Sequence, residues 1–224
     1  MIIHINKSEN KQKHNVSPFL FTLLVKCASV FKVSFIMGSY VAFFSATSII
    51  VPLAGAFSGV AGSCIVFALG LAAKLFFGGK VLSLKFLAFI VPGFCASLYW
   101  GSRSALIRVL VPLLCMLAFI VHPAIGAGWV YSLYWLVPVA LYFIGKRNLF
   151  IEALGSTFTA HAVGSVIWQY AAPMAPQVWL GLMPVVLIER LLFATGMVVA
   201  YHVISYALQL GKNARLVSLK KHLA

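Results

Sequence analysis

From residue 33 to residue 210 the chain is a succession of apolar runs: 33–51, 57–78, 86–121, 129–145, 149–170 and 179–209, separated by short polar or glycine-rich breaks. A helix crosses the hydrocarbon core with about 20 mainly apolar residues, so these runs leave no length for a soluble domain. Charged residues make up only 9% of the 224 and the mean hydropathy is +1.03. Soluble domains are nearer a quarter charged, so the apolar surface of such a chain faces lipid. The expected fold is all-α: a polytopic membrane bundle of about six transmembrane helices, residues 32–210, between basic cytoplasmic tails at 1–31 and 211–224.

The net charge of +14 is arranged as a topology signal and not as a nucleic-acid patch. Lys7, Lys11, Lys13, Lys26 and Lys32 precede the first run, and Lys74, Lys80 and Lys85 surround the end of the second. Lys146 and Arg147 separate the fourth and fifth runs, and Lys212, Arg215, Lys220 and Lys221 close the chain. Segments 52–56, 122–128 and 171–178 carry no lysine or arginine. The alternation predicts both termini on the inner side of a plasma membrane, with an even number of crossings. Residues 84–121 are then expected to make one net crossing. The Pro92-Gly93 break marks a short or re-entrant helix near 86–100, and Arg103 and Arg108 snorkel to the inner headgroups.

The most informative charges are Glu189 and Arg190, adjacent inside LMPVVLIERLLFA. A charge at membrane depth costs about 2.5–3.5 kcal/mol even on permissive insertion scales, and it survives there facing a partner, a cavity or water. Neighbours in a helix point about 100° apart, which predicts different partners for the two. The preceding run places Thr157, His161, Ser165, Trp168 and Gln169 on one face at spacings of three and four. If 171–178 is an outer turn, His161 and Glu189 both lie roughly 15 Å below it. Thr157, His161, Trp168, Gln169, Glu189 and Arg190 are therefore the expected ligand-binding set, with Trp168 as an aromatic wall. The bland alternative is a set of interhelical hydrogen bonds that holds the bundle together. Trp129 and Tyr131, at the start of the fourth run, read as an interfacial aromatic belt.

Small residues add two further expectations. Gly38, Ala42 and Ala46 recur every four residues in the first run, a ridge on which another helix backbone can lie closely. The uncharged segment after it, with Pro52, Gly55, Gly59 and Gly62, reads as a flexible outer turn able to close over a pocket.

Several chemistries lack their residues. GGKVL at 78–82 has neither the hydroxyl nor the upstream glycine of a phosphate-binding loop. No metal-ligand spacing occurs, and Cys27, Cys64, Cys95 and Cys115 stand far apart in apolar surroundings. AFSG at 56–59 lacks the first glycine of a Gly-x-Ser-Gly nucleophile motif, and His202 falls at the far end of the last run. No catalytic residue, cofactor or metal is expected.

The ridge in AFFSA, the turn that follows it, and TAHAVGSVIW followed by LMPVVLIERLLFA together resemble a substrate-binding subunit, or S component, of an energy-coupling factor transporter. The resemblance implies that Gly38, Ala42 and Ala46 meet a transmembrane coupling subunit, that the turn closes over a vitamin-like molecule, and that separate ATPases supply energy. Glu189-Arg190 is no general mark of that family. Two other readings remain: a stand-alone carrier in which Glu189 and His161 exchange a proton, and a non-transporting assembly protein.

Overall fold

A computed structural model describes residues 16–35, 42–77, 82–145 and 148–223. It is a helical bundle with five helical stretches long and apolar enough to cross a membrane: Thr47–Phe76, Leu84–Gly101, Gly126–Ile144, Leu149–Ala171 and Pro176–Ala214. The protein is thus built as a multi-pass membrane bundle.

The first expected span is not a helix. After α1 (Pro18–Ala28), strands β1 (Lys32–Phe35) and β2 (Ala42–Ser45) pair antiparallel, with Lys32 opposite Ser45 and Phe35 opposite Ala42. Ala46 N–H closes the ladder on Phe31 O at 2.8 Å. The extended backbone of KVSF and AFFS suits aromatic and β-branched side chains. It also dissolves the small-residue ridge, because residues four apart share a face only on a helix. Ala42 stands in β2, Ala46 is the residue that opens α2, and Gly38 lies outside the described residues.

Helix α2 (Thr47–Phe76) reverses direction at Gly59, whose φ of 67° and ψ of −166° only glycine adopts readily. Val51 packs on Gly93, and Phe67 stacks on the next residue, Phe94, with ring centroids 4.4 Å apart. A straight helix would hold residues 51 and 67 about 24 Å apart, so the two arms fold back on one another. The reversal at Gly59 falls within the expected turn segment, whereas Pro52 and Gly55 lie inside the first arm and Gly62 inside the second. A Cβ on Gly55 would run into the carbonyl of Ser97, and one on Gly101 would meet the backbone of Gly59 and Val60. These glycines let α4 (Val91–Gly101) lie directly on the α2 hairpin.

Residues 84–121 also double back. The short α3 (Leu84–Leu87), whose first turn Ser83 caps by accepting from Phe86 N–H at 3.2 Å, leads into α4. After the break at 102–104, a π-helical turn, Leu106–Leu110, enters α5 (Val111–Ile120). Against α7 (Leu149–Ala171), α4 runs antiparallel: Phe89 meets Trp168, Pro92 meets Gly164, and Ser156 donates to Ala96 O. The α5 arm runs parallel: Arg108 meets Glu152, and Tyr170 donates to Ala118 O. The run is a two-armed hairpin, not the single crossing broken at Pro92-Gly93 that the charges predict.

One consequence is that basic residues fall at both ends. Lys85 begins the α3–α4 arm at the end where Trp168 lies, whereas Arg103 and Arg108 sit at the opposite end, beside the start of α7. Lys85 thus does not share an end with Asn148, where α7 begins, and Lys80, Lys146 and Arg147 lie outside the described residues. After a 3-10 stretch, Gly126–Trp135, and α6 (Leu136–Ile144), the chain enters α7, capped by Asn148, and then α8 (Pro176–Leu223). The α7–α8 hairpin turns at 172–175, inside the segment anticipated.

Candidate functional site

Three polar centres lie along α7, one near each end and one between them. At the first end Arg108, 4% exposed, is saturated. Its Nη2 donates to Glu152 Oε2 at 2.6 Å and to Tyr99 O at 2.8 Å, its Nη1 to Glu152 Oε1 at 3.2 Å, and its Nε to Ser102 O at 3.0 Å. The guanidinium also lies 4.2 Å over the Tyr99 ring. Glu152 stands in the first turn of α7, where the helix dipole favours a carboxylate. This two-pronged clamp pins the 102–104 turn to α7. Arg108 is thus no snorkelling interfacial side chain, whereas Arg103 is exposed as expected.

At the other end Gln169, fully buried, ties four segments together. Its Oε1 accepts from Trp179 Nε1–H at 2.9 Å and from Met174 N–H at 3.2 Å, and its Nε2 donates to His122 Nδ1 at 3.1 Å. Ala124 N–H donates to the same Nδ1 at 3.2 Å, so the donors around His122 put its proton on Nε2. Every polar atom of the Gln169 amide that the network needs is engaged. The group reads as a clasp across the 121–125 loop, the 172–175 turn, α7 and α8.

Between clamp and clasp lies the third centre. Arg190, 4% exposed, reaches Thr157 Oγ1 with Nη1 and Glu189 Oε2 with Nη2, each at 3.3 Å, and sits 4.7 Å from the centre of the Phe193 ring. Glu189 and Arg190 are therefore paired with one another, against the expectation of separate partners. The long arginine side chain curls back and cancels the 100° offset between their Cα–Cβ bonds. Tyr131, 1% exposed, packs on His161 at a centroid distance of 5.3 Å and on Trp179 at 4.8 Å. Thr157, which Arg190 reaches, stands one turn before His161 on α7. The Nε2 of His161 is buried with no hydrogen-bond partner, as is Nε1 of Trp135. A buried polar atom left unmet costs about 1–3 kcal/mol, and such atoms mark places where something else binds.

Of the residues expected at one site, Thr157, His161, Glu189 and Arg190 converge here. Gln169 belongs to the clasp instead, and Trp168 turns the other way, meeting Phe89 edge-on with centroids 5.6 Å apart. A row of residues four apart advances about 40° round a helix at each step. The Thr157, His161, Ser165, Gln169 row thus follows α8 as it crosses, whereas Trp168 continues the row of Ser156 and Gly164 that packs on α3 and α4. Tyr131, read in the sequence as a belt residue, lines the centre together with Tyr134, which donates to Met183 O at 3.0 Å and packs on Phe158. Trp129 is 44% exposed. Their spacing of three along a helical turn was the available signal.

The supposed lid is misplaced. Gly59 lies beside Gly101, at the clamp end, and Gln169 and Trp179 close the opposite end. An apolar groove between Phe19, Thr22, Leu69, Ala73, Phe76 and Phe77 lies on α1 and the second arm of α2, away from the polar centre. Among the described residues no three His, Cys, Asp or Glu side chains come together as a metal site.

No protein-family model, curated protein or solved structure matches the chain.

Proposed function

We propose that this chain is a membrane-embedded subunit that binds a small, vitamin-like molecule for uptake, between Tyr131, Thr157, His161, Ser165, Glu189 and Arg190. The observation that carries the reading is the buried, unpartnered Nε2 of His161 beside an acid–base pair and a tyrosine. Most buried polar atoms find partners, so an unmet one inside a polar cluster is a point at which a ligand can bind. Aromatic walls with a few convergent polar groups between helices are the usual make-up of a small-molecule site.

In this reading the energy comes from separate ATPase subunits through a transmembrane coupling subunit, because the chain has no phosphate-binding loop of its own. The membrane is the plasma membrane, with both termini on the cytoplasmic side. Two facts favour that orientation. Val16 N–H bonds to Phe57 O, and Phe57 stacks on Tyr201 of α8, so both ends of the bundle core leave from the clamp end. The basic tail of α8 and Arg103 belong to that end too, and inner loops are richest in such residues. The ligand then enters from the clasp end.

Isolation of the full chain from its native membrane, followed by mass spectrometry of released small molecules, tests the proposal. A defined metabolite should co-purify with the wild type and be lost in His161→Ala and in Glu189→Gln. No metabolite, with uptake unchanged in both variants, would falsify it. Uptake driven by a pH gradient in vesicles holding this chain alone would instead mark a stand-alone carrier.

A further inference from the structure

The charge balance around His161 restricts what the proposed site can take. The whole sequence has three acids, Glu9, Glu152 and Glu189. Glu152 is held by Arg108 at the clamp, and Glu9 lies outside the described residues. Glu189 is paired with Arg190, so no carboxylate in the described bundle is left to balance a cation. Likewise the positive charge nearest the site, Arg190, is already matched by Glu189. The centre is thus polar but electrically neutral as it stands.

Its walls are rings: Tyr131, Tyr134, Phe158, Trp179 and Phe193. Between them the polar atoms are few and directional. They are His161 Nε2, Arg190 Nε, the hydroxyls of Tyr131 and Ser165, and Thr157 Oγ1.

We propose that the site takes an uncharged, planar aromatic molecule whose hydrogen-bonding edge meets His161 Nε2 and the hydroxyls of Tyr131 and Ser165. This deepens the binding reading above and rests on it. Flat rings stack on the aromatic walls, and a polar edge satisfies the orphan nitrogen. A net charge on the ligand has no counter-charge at this depth and is rejected for the reason that unpaired charges are rare in membranes.

The test uses the full chain in lipid nanodiscs and three probes of one shape: benzamide (neutral), benzoate (anionic) and benzamidine (cationic at pH 7). Binding is read by quenching of tryptophan fluorescence. The wild type is expected to bind benzamide at least about tenfold more tightly than either ion. Glu189→Gln leaves Arg190 unbalanced, and benzoate should then overtake benzamide. Arg190→Gln is the reciprocal arm, moving preference toward benzamidine, and it stands in if Glu189→Gln does not fold. His161→Phe should weaken benzamide without changing the order of the three. A wild type that ranks benzoate or benzamidine first overturns the neutral-ligand inference and leaves the binding reading intact, as does an order that neither charge variant alters. A co-purified metabolite with a net charge does the same. Binding of none of the three, with no co-purified molecule, overturns both.

Discussion

Arg108 and Arg190 are equally buried, each has a glutamate partner, and each lies over an aromatic ring, yet they are held very differently. Arg108 grips Glu152 with both prongs, the shorter at 2.6 Å, and fills its other donors with carbonyls at 2.8 and 3.0 Å. Arg190 touches Thr157 and Glu189 at 3.3 Å each, at the long edge of hydrogen-bond geometry. Sequence distance explains part of the contrast. Glu152 lies 44 residues from Arg108 and approaches it head-on from another helix, whereas Glu189 is the next-door neighbour and must be reached sideways. A saturated arginine fixes a fold; a loosely held one beside an unmet histidine is a place for chemistry to enter.

The strongest way to break this contrast is Arg108→Ala. It leaves the Glu152 carboxylate buried without its counter-charge and should cost about 3–5 kcal/mol, read as a large loss in thermal unfolding in detergent. Arg190→Ala removes, among its contacts, the 3.3 Å bonds to Thr157 and Glu189 and should cost less, about 1.5–3 kcal/mol, while abolishing retention of the co-purified molecule. Equal destabilisation by the two variants would erase the distinction between them. The double change Arg108→Met with Glu152→Leu sharpens it: with both charges gone, stability should return to within about 1 kcal/mol of the wild type, ligand retention being kept. The smallest effect belongs to Arg103→Gln, an exposed side chain whose loss should alter stability by no more than about 0.5 kcal/mol.

How much of this was readable beforehand varies along the chain. Hydropathy located the five stretches long and apolar enough to cross a membrane but also read 33–51 as one, and the gap at 171–178 located the α7–α8 turn. The polar row Thr157, His161, Ser165 was readable because a helix turns such residues to one side, and it does meet Glu189 and Arg190. Trp168 shows the limit of that argument. Spacing says which residues share a face, and the height at which a neighbouring helix crosses decides what that face meets. The Arg108–Glu152 clamp was beyond reach for a different reason. Two residues on separate helices with no local pattern declare their pairing only once the 102–104 turn is known to reverse the chain. The β1–β2 pair was missed because small and aromatic residues in 33–51 fit a helix by composition, and hydropathy carries no sense of direction. Gly59 stood among the glycines expected to form a turn, but hydropathy could not show that helix continues directly on both sides of it.

The Gly59 reversal also fixes the parity of the molecule. Residues 47–76 would pass as one crossing by length alone. Because they go in and come back, everything before Gly59 is mirrored relative to a straight count, and Val16 comes to the same end as the tail of α8. A substitution that straightened this single residue would lift the first arm of α2 off α4, where Val51 and Gly55 now lie against Gly93 and Ser97, leaving every later helix where it is.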